Sequence, residues 1–370
     1  MKFRVERDAV ADAVAWAART LPNRPSLPIL AGLLLEATPD GLVVSSFDYE
    51  TSSRVEVSAD VSENGRALVS GRLLADITRA LPAQPVQIGV DGTRVSLTCG
   101  RSSFALPTFP VEDYPALPSM PDSSGTIAGS EFASAVAQVA IAAGRDDTLP
   151  TLTGIRLEVD GAHVTLAATD RYRLAMREFS WAPASPSLEA QALIPARTLA
   201  ETAKSLASAE QVHLSLAQGG EGLLGFEGDG RRTTTRLLDG EFPKYRSLLP
   251  SETLSAAVIS TAELVESVKR VALVAERNTP VRLAFSSSEV ILRAGTGDEA
   301  QATEALECSL DGEGLEIAFN PQYLLDGLGA VDSATTRMSF TQATRPAVLS
   351  AADDTQADYR YLLMPVRLAG

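Results

Sequence analysis

Cysteine and histidine are scarce in this chain. Cys99 and Cys308 are its two cysteines, far apart in sequence, which leaves no disulfide framework and no cysteine-based zinc site to build. Its two histidines, His163 and His213, each fall in a strand-like alternation and read as structural groups. No histidine triad, histidine-pair zinc motif or Walker loop can be assembled from such a set. Long apolar runs are missing too. None reaches the length needed to span a bilayer, and the opening stretch MKFRVERDAV is charged, so the expectation is a cytoplasmic protein with no membrane contact. Positive charge is in deficit, with Lys and Arg numbering 32 against 47 Asp and Glu, a net charge of -15. That balance argues against broad, tight nucleic-acid binding by phosphate neutralisation, and leaves room only for local basic patches. Gly220 to Gly225 matches GxGxxG literally, but it carries an acid and leads into a strand, so a β-turn is expected rather than a phosphate cradle. Asp146-Asp147 and Asp353-Asp354 are adjacent carboxylates in loops and read as solvated surface. The chain reads as non-catalytic, with no cofactor and no metal.

What is present is an ordinary globular composition, 45% hydrophobic and 21% charged, over 370 residues. The most informative stretch is Leu149 to Arg177, LPTLTGIRLEVDGAHVTLAATDRYRLAMR. Ile155, Leu157 and Val159 alternate with Arg156 and Glu158, the period of a half-buried strand. Asp160-Gly161 supplies a tight turn, and Val164, Leu166 and Ala168 resume the alternation. A compact polar corner, Thr169 to Leu174, follows.

The same pattern occurs earlier. An offset of 122 carries Leu27, Pro28, Gly32, Leu35, Glu36 and Asp48 onto Leu149, Pro150, Gly154, Leu157, Glu158 and Asp170. The upstream helical stripe Val10, Val14, Ala17 falls on Phe132, Val136, Val139 at the same offset, and a further 132 reaches Leu264, Val268, Val271. A second helix recurs at an offset of 125, with Leu74 and Leu81 becoming Leu199 and Leu206, then Leu324 and Val331. Three copies of one domain of roughly 120 residues are expected, with boundaries at 1–120, 126–250 and 251–370. Each copy contributes two helices and several short strands. The first two copies close on similar stretches, Phe109 to Pro118 and Phe242 to Pro250.

Basic residues recur at equivalent places. Arg72 and Arg79 share one helix face seven residues apart, and Arg197 with Lys204 reproduces them in the second copy. Arg24, Arg145 and Arg277 recur just after each first helix. In an acidic chain this suggests one concave positive surface that attracts phosphates without sequence preference, against the alternative of solvated helix faces. The chain ends on Tyr361-Leu362-Leu363-Met364-Pro365-Val366-Arg367-Leu368, either a tail docked to complete a groove or an ordinary last strand.

The whole chain resembles the bacterial DNA polymerase III β subunit family, the replicative sliding clamps. The start MKFRVER, Arg24 to Leu30, Ala168 to Ala175, Asp239 to Arg246 and the stretch Tyr361 to Leu368 carry the resemblance in order. It implies an α+β fold of three tandem clamp-fold domains, with helices lining the inner face and antiparallel sheets outside. Two chains would join head to tail as a homodimer ring of six domains around duplex DNA. Arg24, Arg72, Arg79, Arg145, Arg197, Lys204 and Arg277 would then face the DNA. The implied partners are the replicative polymerase α subunit, the clamp loader, repair polymerases, ligase and mismatch-repair proteins, each through a short linear peptide. Carried over by motif, the peptide pocket comprises Leu152, Thr169, Arg171, Tyr172, Arg173 and Leu174, then Pro243 and Leu248, then Leu362, Met364, Pro365, Val366 and Arg367. An apolar floor of Leu152, Leu174, Leu248, Met364 and Val366 would desolvate anchor side chains, with Arg and Thr groups fixing the peptide backbone. The dimer interface implied is Phe104 and Leu106 of one chain against Leu273 and Val274 of the next. Phe104 and Leu106 share a strand face, so packing inside their own domain is the rival reading.

Overall fold

The structure is a computed structural model that describes residues 1–217, 222–275, 279–295, 300–353 and 358–367. Arg277, Asp354, Leu368 and the first two residues of the Gly220–Gly225 turn lie outside the described residues. The α-helices among them are α1 (Arg7–Ala17), α2 (Gly71–Ala80), α3 (Gly129–Ala140), α4 (Ala196–Ser205), α5 (Thr261–Ala272) and α6 (Pro321–Ala330). These are the paired helices expected for three copies. Every strand pairing described below is antiparallel. The contacts group the chain into two compact units, residues 1–132 with 201–237, and residues 133–200 with 238–370.

In the first unit, one continuous sheet runs from Gly125–Ile127 through the strands Val212–Leu216, Leu223–Gly228 and Arg231–Arg236 to Thr51–Val57, and on through the first copy to Asp60–Glu63. Helix α1 buries Val10, Ala13, Val14, Trp16 and Ala17 against α2 and the sheet. Helix α2 buries Leu74, Ala75, Ile77 and Thr78 while presenting Arg72, Asp76 and Arg79 to solvent, the amphipathic division its spacing requires. The first and second copies meet where Thr51–Val57 pairs with Arg231–Arg236. That seam is lined by buried hydroxyls, and Ser52 and Thr234 bond each other at 2.6 Å. The segment after the last strand of the copy lies over the opposite sheet face. Tyr114 packs on Leu34 and Leu68 and accepts the Phe47 N–H at 2.7 Å. Burial of this phenol pushes its pKa up to about 12.

In the second unit, a sheet runs in the order Glu189–Pro195, Gly154–Asp160, His163–Thr169, Arg173–Ser180, Tyr359–Leu363, Ala347–Ala351, Thr335–Phe340, Ser255–Ser260, Ser309–Asp311. A second sheet holds Ala302–Glu307 at one edge, then Glu289–Ala294, Val281–Phe285 and Glu316–Phe319. The second and third copies therefore meet where Arg173–Ser180 pairs with Tyr359–Leu363, the counterpart of the Thr51–Arg236 seam. Here the pair corresponding to Ser52 and Thr234 is Leu174 and Leu362. Both leucines are buried with Ala167, Met176 and Tyr245, beneath Phe242 and Leu249 of the closing segment.

Helix α6 is fixed to this seam by close approach. Its start is capped by the Asn320 side chain, which accepts the N–H groups of Gln322 and Tyr323, with Pro321 at the first helical position. Gly327 faces the Tyr361 ring so closely that an added Cβ would stand 2.4 Å from two ring carbons. Gly327→Ala is therefore expected to destabilise the fold by roughly 1–3 kcal/mol, because a buried ring must shift to admit one methyl group. A thermal melt checks it; an unchanged midpoint would show that α6 can slide away from the seam freely.

Candidate functional site

The polar corner is a short turn joining two strands of one sheet. The Asp170 carboxylate oxygen Oδ1 accepts the N–H groups of Tyr172 at 3.1 Å and Arg173 at 3.2 Å, and Arg171 takes the left-handed conformation with φ of 80°. The first copy builds the same turn. Asp48 Oδ1 accepts the N–H groups of Glu50 at 3.0 Å and Thr51 at 2.7 Å, and Tyr49 has φ of 76°. An aspartate that folds back on its own backbone explains why Asp48 and Asp170 recur at the repeat offset.

Beside the second corner lies a cleft of about 810 Å³, lined by residues of the second and third copies within one unit. Leu149 and Leu152 form an apolar wall, Arg145, Asp146 and Arg171 the charged rim, and Tyr172, Gln322 and Tyr323 the far side. The rings of Tyr172 and Tyr323 stack with centroids 6.1 Å apart. The Asp146 carboxyl is held below the usual carboxylate range by hydrogen bonds from the Thr148 hydroxyl and N–H. Met364 reaches the corner from the other side, its N–H donating to the Tyr172 carbonyl at 2.9 Å. Tyr172 is 60% exposed and Met364 41%, two of the exposed large apolar side chains of the described residues.

Several expected pocket residues are placed differently. Arg173 lines the cleft, but its side chain is only 6% exposed. Its guanidinium donates to Asp170 at 2.9 Å and to Asp326 at 2.5 Å, and lies 4.3 Å from the Tyr323 ring centroid. Burial alone would lower its pKa; the Asp326 bond and its neighbours outweigh that and hold it above the ordinary value. Thr169 is likewise buried, its hydroxyl donating to the Arg173 carbonyl at 2.7 Å. Both side chains are engaged within the fold, whereas Arg171 and Arg367 are exposed. Leu174 and Leu362 are buried supports rather than open floor. Pro243 lies on the closing segment and lines a separate depression of about 660 Å³ with Arg156, Glu158 and Arg246. Leu248, Met364 and Val366 are exposed and Pro365 half-buried. Tyr359–Leu363 is the chain's last strand among the described residues, and Met364 to Arg367 continues past it with the Val366 N–H bonded to the Ala318 carbonyl at 2.8 Å.

Gln322, Tyr323 and Asp326 are cleft residues that sequence reasoning missed. A signal existed for two of them. At the 125-residue offset, Leu73 and Thr198 precede Tyr323, an aromatic arriving where none stood, while Asp76 and Glu201 precede Asp326, an acid retained in every copy.

The basic positions are exposed where described. Arg72, Arg79, Arg197 and Lys204 lie on the solvent sides of α2 and α4, and Arg24 and Arg145 in the segments that follow α1 and α3. Arg72 also donates to the Asn23 side chain at 2.6 Å, tying α2 to that loop. Arg145 opens onto the cleft. Among the expected interface residues, Leu273 is 84% exposed at the end of α5, Val274 half-buried and Phe104 partly exposed. Leu106 is a correction. It is 2% exposed, paired opposite Val95 and with its side chain packed into the first-unit core, so that side chain offers no surface to another chain.

Comparison with known proteins accounts for the threefold construction. Residues 1–118, 126–244 and 246–367 match, in order, the N-terminal, central and C-terminal domains of the DNA polymerase III beta subunit. The Streptomyces coelicolor beta sliding clamp is 61% identical over 376 residues, covering 100% of both chains. The Micrococcus luteus beta sliding clamp is 54% identical over 84% of this chain and 100% of its own. A crystal structure of the Pseudomonas aeruginosa sliding clamp bound to griselimycin superposes with a TM-score of 0.93 at 29% identity over 100% of both chains. The fold is accordingly three clamp domains of α+β type with antiparallel sheets, and the chain belongs to the DNA polymerase III β subunit family, the beta sliding clamps.

Proposed function

We propose that two copies of this chain close head to tail around duplex DNA and carry the replicative polymerase along it, in the bacterial cytoplasm. Family membership makes the chain a processivity factor without catalysis of its own. The proposal adds the topology, the partners and the residues. Its domains are taken as 1–120, 126–250 and 251–370. The observation that carries the partner reading is the second corner, where a cleft opens beside the exposed Tyr172 and the exposed Met364 reaches the same residue through a backbone bond. Exposed apolar groups flanked by Arg171 suit a short peptide that buries two or three anchors and bonds through its main chain. Polymerase α subunit, clamp loader and repair proteins would compete for this one site. Arg24, Arg72, Arg79, Arg145, Arg197 and Lys204 supply the non-specific attraction to phosphates, with Arg277 assigned the same part from sequence alone.

Ring closure is supported by open strand edges. The strand Ser102–Phe109 pairs with Gly65–Ser70 only through Phe109 and Thr108, so Ser103 to Pro107 present one unpaired edge. Ala302–Glu307 is an edge strand of its sheet. Two such edges on one chain allow a head-to-tail pairing that closes. With the Leu106 side chain removed from the interface, Phe104 would meet Leu273 and Val274. Leu273→Ala with Val274→Ala is expected to shift the light-scattering mass from twice 39.0 kDa to 39.0 kDa. A mass that stays doubled would assign dimer stability to the strand edges instead.

The deciding experiment loads the protein onto nicked circular DNA and then cuts the circle. Release on linearisation is the expected result, since a topological link has no need of grip. Retention that falls only with added salt would mean direct binding and would end the ring reading. Failure to load where a known clamp loads, with peptide binding intact, would leave a peptide scaffold.

A further inference from the structure

We propose that Asp326 is a positioning residue for the peptide cleft, holding its walls in the shape that accepts a peptide without touching the peptide itself. The inference rests on the reading of that cleft as a peptide site.

Both oxygens of the Asp326 carboxylate are committed to groups that line the cleft. Oδ2 accepts from the Arg173 guanidinium at 2.5 Å, and Oδ1 accepts from the Gln322 amide at 2.7 Å. Arg173 in turn sits against one face of Tyr323, whose ring stacks with Tyr172, the exposed wall. The Tyr361 hydroxyl completes the set by donating to the Tyr323 carbonyl at 2.8 Å. One carboxylate on α6 thus fixes the strand of the second copy, the first turn of the helix and the aromatic pair between them. The carboxylate lines the cleft but is only 25% exposed, and both of its oxygens are already engaged, so a bound peptide has little of it to contact.

The equivalent seam of the first copy lacks this device. Thr51 stands where Arg173 does, and is buried in the sheet. The acid recurs there as Glu201. A buried arginine held by two carboxylates occurs at the seam that carries the cleft, which is the placement a preorganising contact requires. Holding a site in its competent form raises the observed association rate in proportion to the competent fraction and leaves dissociation alone.

The test uses the full-length protein immobilised at low density and a labelled clamp-binding peptide from the replicative polymerase α subunit, with association and dissociation rates read separately. Asp326→Ala is expected to slow association about tenfold, with dissociation within about twofold of the parent. Asp326→Asn keeps one acceptor and should fall between. The fraction of active protein is titrated, so that a purely structural loss shows as fewer sites with unaltered rates. Unaltered association in both variants would overturn the proposal, as would faster dissociation at unaltered association, which would make Asp326 a contact residue. If Asp326→Ala does not fold, Asp326→Asn alone decides by the same criteria. Met364→Ala serves as the contact control and should speed dissociation. If it changes neither rate, the peptide-site reading fails and the proposal with it; if it weakens binding while the Asp326 variants do not, only the positioning role is lost.

Discussion

Arg173→Ala will cost the chain about 3–5 kcal/mol of stability, far more than the loss of an exposed arginine. The side chain is almost fully covered and satisfies two carboxylates at once, Asp170 on its own strand turn and Asp326 on α6. Removing it leaves two part-buried negative charges facing each other without a cation, and opens a void beside Tyr323 and Tyr361. Arg246 provides the contrast. It also bridges two acids, Glu158 at 3.0 Å and Glu178 at 3.6 Å, but is 55% exposed, so solvent screens both pairs and its alanine variant should lose under about 1 kcal/mol. Arg173→Lys keeps the charge but not the planar fork that reaches both carboxylates, and should lie between. Calorimetry separates the outcomes, because the unit comprising residues 133–200 and 238–370 should melt earlier in Arg173→Ala. A loss below about 1 kcal/mol would mean that water enters the cavity and solvates both acids as well as the arginine did.

Sequence spacing made the repeats and the corner legible because both depend on local chemistry. An aspartate that caps its own turn, glycine at a hairpin and a stripe of apolar residues at helical intervals are all written within a few residues. Burial of Arg173 was not legible. Its partner Asp326 lies 153 residues away, and an arginine beside a tyrosine reads by default as surface. Leu106 shows the same limit in a strand. Alternation tells that Phe104 and Leu106 share a face, not that the core of the first unit covers one and leaves the other partly open. The strands Lys2–Val5 and Thr51–Val57 escape a sequence reading for different reasons. In Lys2–Val5, Phe3 and Val5 are buried between charged neighbours, a four-residue alternation too brief to register. Thr51–Val57 opens on Thr, Ser and Ser, hydroxyl groups that look like loop and are in fact the buried seam between two copies.

Exchanging the seam chemistry will abolish peptide binding without unfolding the chain. The two seams are built alike down to one backbone bond. In the second, the Met364 N–H donates to the Tyr172 carbonyl at 2.9 Å; in the first, the Arg236 N–H donates to the Glu50 carbonyl at the same 2.9 Å. The backbone therefore accepts either pair of side chains, and the pair decides what the surface can do. Tyr172 and Met364 present apolar area that a partner can cover, whereas Glu50 and Arg236 are charges that would have to be stripped of water. Below them the supports differ in the same sense, Leu174 with Leu362 against Ser52 with Thr234. Each chain should accordingly bind one peptide, at the second seam, although its repeats provide two similar corners. Tyr172→Glu combined with Met364→Arg should weaken a polymerase-derived peptide at least ~100-fold, the effect of losing two central anchors of about 1.5–2 kcal/mol each. Its melting point should stay close to the parent's, since both side chains are exposed and the bond beneath them is unchanged. Titration calorimetry reads the stoichiometry and the affinity together, and a thermal melt reads the stability. A stoichiometry of two per parent chain, or a double variant that still binds at parental affinity, would move the peptide site away from Tyr172 and Met364.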